Sequence, residues 1–392
     1  MSTIQQIYGR LCRFAVFGGI LKKPLLTHFM SYCRAGGDIA TRRMAYGAFV
    51  AEIYAGGADL TDCVRRLVFE DENVYVKTIG NMARPSPHIA LCAANELTTL
   101  SSFAALTTAD FAADMGDLDY LPAFSSSPVD LRAEYEERTA AIGRHGYGIF
   151  AANGMFSVGE DGSILPIASA DRISLDRFIG YREERQRVID NTVMFLEGRP
   201  AANILLYGDA GTGKSSTVKA VANAYFDQGL RLIEIRKNQL LQLPRVMGEI
   251  ADNPLKFIIF IDDLSFNQND DTFSMLKATL EGSASARAKN AVIYATSNRR
   301  HIVKETFDDR AGNDIHRNDT VQENLSLSER FGLTVLFAKP EKKLYLEIIH
   351  ELAERHGITR DPAELEREAE SFALKRGYRS ARCAEQFIES LL

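Results

Sequence analysis

The chain has no Cys-x-x-Cys pair, no uninterrupted apolar run of membrane-spanning length, no internal repeat and no long low-complexity tract. Each absence removes a class of protein. The five cysteines, Cys12, Cys33, Cys63, Cys92 and Cys383, are scattered and odd in number. That fits free thiols in a reducing cytoplasm and leaves no zinc site to read. A spanning helix needs about 20 mainly apolar residues, so the expected location is cytoplasmic, with no membrane partner. The apolar stretch "LCRFAVFGGILKKPLL" is short, broken by Gly18-Gly19 and followed by Lys22-Lys23. Without a small-residue cleavage site it is not a signal peptide, and it reads as an amphipathic helix packed in a core rather than lying on a membrane. An excess of basic charge is also lacking. Lys and Arg number 46 against 52 Asp and Glu, a net charge of −6, which argues against a chain-wide basic coat for nucleic acid. One local basic cluster, Arg299-Arg300-His301, reads as a contact to nucleic acid or a neighbouring subunit, or as a solvated turn.

What is present is ordinary globular composition, 46% hydrophobic and 25% charged over 392 residues, enough for two or three domains. Residues 1–125 show apolar side chains at three- and four-residue spacing and are expected to be a mainly helical N-terminal domain. "LPAFSSSPVD" opens a linker at 126–170, whose glycine-rich "GYGIFAANGMFSVGEDGSILPI" suggests a small β-hairpin. From 171 to 340 strand-like runs alternate with helical ones: "NILLY", "LRLIEI", "KFIIFI", "AVIYAT" and "LTVLFA". Continuously apolar strands belong to a parallel sheet covered on both faces, so an α/β core is expected. The helix beginning "KSSTVKAVANAYFDQG" is expected to close on Gly229. Residues 341–392 turn helical again and read as a lid.

The chemistry sits in this second half. Gly208-Asp209-Ala210-Gly211-Thr212-Gly213-Lys214-Ser215 fits G-x-x-x-x-G-K-[ST] between a strand and a helix. Glycines let the backbone wrap a phosphate, while loop N–H groups and the helix N-terminus supply positive potential. Lys214 is placed to reach the β- and γ-phosphates, and the Ser215 hydroxyl to hold Mg²⁺. "FIIFIDDLSF" then puts Asp262 and Asp263 at the carboxyl end of a strand, where ligands sit in open α/β sheets. Asp262 is expected to hold Mg²⁺, and Asp263 to orient or deprotonate the attacking water. Asn298 ends the next strand and is expected to position that water. Arg330 precedes the last core strand, and Arg382 sits near the start of a lid helix with Ser380 as its N-cap.

This order of motifs resembles the AAA+ ATPases: Walker A at Gly208–Ser215, Walker B at Asp262-Asp263, sensor 1 at Asn298, the arginine finger at Arg330 in "SERFG", and sensor 2 at Arg382. The resemblance runs from about residue 171 to 392. "ANILLYGDAGTGKSS", "FIDDLSF", "YATSNRRH" and "LSLSERFGL" are most similar to a bacterial family of stand-alone AAA+ predicted ATPases, a domain of unknown function. The resemblance implies a five-stranded parallel sheet of order 5-1-4-3-2 with a C-terminal helical lid. It also implies ATP and Mg²⁺, contacts to ATP from the whole loop and Ser216, and Ile179-Gly180-Tyr181 against the adenine. It further implies a homo-oligomer whose Arg330 serves the neighbouring subunit's nucleotide. Three departures stand out. AAA+ proteins usually carry Asp-Glu where this chain has Asp262-Asp263. Arg379 competes with Arg382 for the sensor 2 role. "RKNQLLQLPRVMGEI" lacks the aromatic pore loop of protein-threading rings. Two functions are therefore expected: an ATPase driving conformational change against a macromolecular client, or a slow nucleotide-gated switch or loader. A P-loop kinase leaves Asn298, Arg330 and the lid without roles, and no N-K-x-D motif supports a GTPase.

Overall fold

The computed structural model describes residues 2–112, 115, 120–167, 173–265, 271–281, 288–298 and 330–392. The Arg299-Arg300-His301 cluster, Ser328 and Glu329 lie outside the described residues. The chain forms two compact units, Met1–Ala152 and Asn153–Leu392.

The first unit is helical: α1 (Thr3–Leu11), α2 (Pro24–Arg34), α3 (Ile39–Ala55), α4 (Leu60–Glu70), α5 (Val74–Gly80), α6 (Pro87–Ala104), α7 (Thr108–Ala112), α8 (Leu131–Ala140), α9 (Ile142–His145) and α10 (Ile149–Ala152). Its helices start where the sequence supplies caps. Ser2, Asp38, Asp59, Asn73, Ser86 and Asp130 each accept a backbone N–H of the first turn, satisfying donors that no intrahelical carbonyl can reach. The core is aromatic. Phe29 meets Phe103 edge-on with ring centres 4.7 Å apart, and Phe49 and Phe111 are 5.5 Å apart. The segment expected as one amphipathic helix is buried, as Val16, Phe17 and Ile20 demonstrate, but it is broken. α1 stops at Leu11 and a turn leads to α2. The cause is Glu96 of α6, whose carboxylate accepts the N–H groups of Ala15, Val16 and Phe17 at 2.7, 3.2 and 2.7 Å, taking donors that a continuous helix would use. The "LPAFSSSPVD" stretch is tied down too. Ser125 pairs its N–H and carbonyl with Ala58 and Leu60, and Tyr46 donates its hydroxyl hydrogen to the Pro122 carbonyl.

The second unit is built on β1 (Met155–Val158), β2 (Ile164–Pro166), β3 (Ile204–Gly208), β4 (Leu230–Ile235), β5 (Lys256–Ile261), β6 (Ala291–Ser297) and β7 (Leu333–Phe337). They form one sheet of order β2-β1-β4-β5-β6-β3-β7. The sheet therefore has seven strands, where five were expected. Numbered one to five, β3 to β7 run 5-1-4-3-2 within it. The extra pair is an antiparallel hairpin in the glycine-rich stretch, joined to the sheet edge. β1 pairs in parallel with β4, Phe156 opposite Ile233, and β2 folds back antiparallel on β1. An unpaired β4 edge would leave a row of backbone donors and acceptors open, and the hairpin covers it. The other pairings are parallel. Ile258, Ile259 and Phe260 are all fully buried, the mark of a strand covered on both faces.

Around the sheet lie α11 (Arg182–Leu196), α12 (Lys214–Ala224), α13 (Leu243–Ile250) and α14 (Asp271–Glu281). α15 (Lys342–Arg355), α16 (Pro362–Arg376) and α17 (Ala381–Glu389) follow β7. α12 ends five residues before Gly229; that glycine, at φ 93°, instead closes a short 3-10 turn at Phe226–Gln228. Arg231 holds this turn, donating to the Phe226 carbonyl and lying 3.9 Å over the Phe226 ring. The last three helices share their own core, centred on Tyr345, Ile349, Leu365 and Phe387.

Candidate functional site

The site starts at the carboxyl end of β3. Gly208 has φ 131°, and a Cβ there would stand 2.1 Å from the carbonyl oxygen of Phe337 on β7. No side chain fits so close to a neighbouring backbone. The chain then wraps through Asp209, Ala210, Gly211, Thr212 and Gly213 into α12. Thr212 donates its hydroxyl hydrogen to the Asp209 carbonyl at 2.9 Å, and the Asp209 carboxylate accepts the Lys339 N–H at 3.0 Å. The Gly211 carbonyl accepts the Arg382 N–H at 3.3 Å. A Cβ on Gly211 would press on Ser380 and Arg382 at 3.2 and 3.3 Å, so this glycine lets α17 approach the loop.

Lys214 opens α12 and is only 6% exposed. Its ammonium donates to the Gly208 carbonyl (2.9 Å), the Asp209 carbonyl (2.7 Å) and the Asn298 side-chain oxygen (3.1 Å). Three acceptors match the three hydrogens of an ammonium. Burial pushes its pKa below the ordinary value, against the opposing pull of Asp209, Asp262 and Asp263.

Beside it, Ser215 donates its hydroxyl hydrogen to Asp262 at 2.6 Å. These two hard oxygen donors, one anionic, fit Mg²⁺, which takes one or two protein oxygens together with water and substrate phosphates. Among the described residues no group of three or more His, Cys, Asp or Glu could hold a metal by itself, so a metal here depends on the phosphates. Asp263 follows at φ 52°, a left-handed backbone uncommon for a side-chain-bearing residue. Its carboxylate accepts the Asn298 side-chain N–H at 2.9 Å. Asn298 thus bridges Lys214 and Asp263, contacting the lysine with its oxygen and the acid with its nitrogen.

Thr296, two residues before Asn298, was not singled out from the sequence. Its hydroxyl donates to Asp262 and accepts the Asp263 N–H. The signal available was a hydroxyl near the end of a mainly apolar strand.

The two lid arginines divide. Arg379 forms a two-point pair with Glu370, at 2.9 and 2.7 Å. The Arg382 guanidinium makes no hydrogen bond or ion pair among the described residues. It lines a cleft with Phe178, Ile179, Gly213, Ser216 and Ile348. The segment expected against adenine bridges two cores. Ile179 packs with the lid, Tyr181 with the sheet, and Gly180 turns between them at φ 70°. Tyr181 is pinned by its hydroxyl to the Ala338 carbonyl at 2.7 Å and lies 5.5 Å from the Phe337 ring. Ile179 and Phe178 therefore line the cleft. Arg185, also missed from the sequence, lines it as well, lying 5.2 Å over the Phe178 ring. Arg330 is not brought to this site. It precedes β7, whose first residue, Leu333, pairs with Ile204 at the start of β3, whereas the loop is reached only at Gly208–Phe337.

Residues 151–392 match a family described as "Protein of unknown function (DUF815)". Chaperone protein ClpB 2 of Parasynechococcus marenigrum (strain WH8102) is 28% identical over 212 residues, 48% of this chain and 21% of that protein. The chain thus spans about a fifth of that relative's length. Among solved structures, the Thermotoga maritima RuvB Holliday junction branch migration motor aligns at 14% identity and a TM-score of 0.34, over 56% of this chain and 72% of that one. A variant of the same motor aligns at 15% identity with the same score and coverage. The AAA+ resemblance holds through the family match and the ClpB relative. The family match spans more than half of the chain, which belongs to the DUF815 family.

Proposed function

We propose that this DUF815 member is a Mg-ATP-dependent AAA+ ATPase, converting ATP and water to ADP and phosphate to drive conformational change in a cytoplasmic homo-oligomer acting on a macromolecular client. One observation carries the reading. Lys214, the Ser215–Asp262 pair and the Asn298–Asp263 pair converge at the carboxyl ends of three adjacent parallel strands, the position where open α/β sheets bind ligands.

The steps follow from these contacts. The loop N–H groups and the start of α12 cradle the phosphates. Lys214 exchanges its acceptors, the Asn298 oxygen among them, for phosphate oxygens. Ser215 and Asp262 would hold Mg²⁺, which when bound neutralises phosphate charge. Asp263 orients the water and takes its proton, while Asn298 fixes the position of that acid. Arg382 reaches the phosphates from α17; Arg379 is occupied by Glu370 and leaves the role to it.

Arg330 supports an oligomer. It lies three residues before the amino end of β7, and the strand from Leu333 to Phe337, where the loop is reached, alone spans about 13 Å at about 3.3 Å per residue. An arginine so far away serves another subunit's γ-phosphate or none.

Asp263 favours a second reading, a nucleotide-gated switch or loader with little turnover. It is one methylene shorter than the usual glutamate, and Asn298 already holds its carboxylate. Steady-state phosphate release separates the two. For the ATPase, Asp263→Asn keeps ATP affinity and loses about 10²–10⁴ in turnover, as general-base removal does. A wild-type protein that binds Mg-ATP without releasing phosphate establishes the switch.

A further inference from the structure

Resting on the reading of this site as Mg-ATP-binding, we propose that Thr296 is a positioning residue that sets the two acids of the site with a single hydroxyl. β6 lies between β5, which delivers Asp262 and Asp263, and β3, which delivers the phosphate loop. Thr296, opposite Leu206 of β3, is thus the place from which both can be addressed. It is 2% exposed, so each polar atom needs a protein partner, and each has one. The hydroxyl hydrogen goes to Asp262 Oδ1, the oxygen that also accepts the Ser215 hydroxyl. The hydroxyl oxygen accepts the Asp263 N–H at 2.9 Å, and the Thr296 carbonyl accepts the Leu264 N–H at 2.7 Å.

Each bond has a consequence. The bond to Asp262 fixes which carboxylate oxygen faces Ser215 and leaves the other to be aimed at the metal side. The two backbone bonds lock the turn that carries Asp263 at φ 52°. An L-residue pays for a left-handed conformation; without the hydroxyl the Asp263 N–H keeps only its 3.2 Å contact to Asp262 Oδ1 and the turn is held by the Leu264 bond alone, so the Asp263 carboxylate is less firmly set against Asn298. Thr296 therefore couples the metal-side acid to the water-side acid without touching the nucleotide itself.

The test compares Thr296→Val, which keeps the shape and removes the hydroxyl, with Thr296→Ser, which keeps the hydroxyl and removes a methyl. Three quantities are measured on the full chain: kcat for phosphate release at saturating Mg-ATP, affinity for a fluorescent ATP analogue without metal, and Mn²⁺ affinity of the nucleotide complex by electron paramagnetic resonance. Thermal unfolding checks that each variant is folded. A hydrogen bond to a charged group translates into a fall in kcat of about 10- to 100-fold for Thr296→Val. Its Mn²⁺ affinity falls too, while metal-free nucleotide affinity is kept and Thr296→Ser stays close to wild type. Thr296→Val with wild-type kcat and Mn²⁺ affinity overturns the proposal. So does Thr296→Ser falling as far as Thr296→Val, since the site would then respond to packing alone. Wild-type protein that binds nucleotide but does not hydrolyse it removes the ATPase reading only, and the Mn²⁺ comparison still decides on Thr296. Wild-type protein that binds no nucleotide overturns both.

Discussion

Replacing Lys214 by alanine removes an ammonium held at three points, by the Gly208 and Asp209 carbonyls and the Asn298 side chain. In the nucleotide-free protein the loss is modest. Hydrogen bonds to a charged group stabilise by about 1.5–3 kcal/mol each, but burial opposes the charge, as the depressed pKa of this lysine shows. The net change in folding stability is therefore expected within about 1–2 kcal/mol. Ligand binding is affected far more. A ligand at 100 times its Kd stabilises the native state by about 2.7 kcal/mol. The unit carrying the site runs from Asn153 to Leu392. For a domain of this size each kcal/mol moves Tm by about 2–4 °C, so saturating Mg-ATP raises the wild-type Tm by about 5–11 °C. Without Lys214 the phosphates lose the one side-chain cation that opens α12, and the shift disappears at the same ATP concentration. Differential scanning fluorimetry with and without Mg-ATP reads both effects. An Mg-ATP shift of wild-type size in Lys214→Ala refutes the assignment of the loop as the phosphate site.

Arg330→Ala is expected to bind ATP and lose about 10³–10⁵ in turnover, the worth of an arginine finger. Mixing it with Lys214→Ala restores activity, because each variant supplies across one interface what the other lacks, and mixed oligomers that stay inactive refute the trans role. A fragment of residues 153–392 is expected to fold and bind ATP, whereas one starting at 171 lacks the β1–β2 hairpin and leaves the β4 edge open to aggregation. Equal solubility of the two by gel filtration counts against the hairpin's edge-covering role. Tyr294 gives a pH dependence. Its hydroxyl bonds Asn191 and Thr192 at 3.1 and 2.8 Å, and burial raises its pKa from 10.0 to about 12. The folded state keeps a proton that the unfolded state loses, so stability is full below pH 10 and falls as pH rises from 10 to about 12, by about 1.4 kcal/mol per unit. Urea unfolding across that window should show a shallower decline for Tyr294→Phe, and an unchanged slope rejects the assignment.

What depends on neighbours along the chain was legible in the residues alone. Runs such as "KFIIFI" have no polar face to offer water, so they become buried strands wherever they are placed, and β4 and β5 occupy the expected residues. The phosphate loop is equally local, because its glycines, lysine and serine act within one turn. Ser380 caps α17 for the same reason, accepting the Cys383 N–H three residues on. Other features rest on partners far apart in sequence. Glu96 breaks the N-terminal segment from 79 residues away. Tyr181 turns into the sheet core because its hydroxyl finds Ala338, 157 residues on. The glycine-rich hairpin has too little apolar surface to announce that it closes the edge of β4. Thr296 looks like a strand terminus until β5 is laid beside β6 and two acids, 33 and 34 residues before it, reach its hydroxyl. A side chain's propensity and periodicity are written locally, but its hydrogen-bond partner is chosen by the packing of strands, and that choice exists only once the sheet has formed.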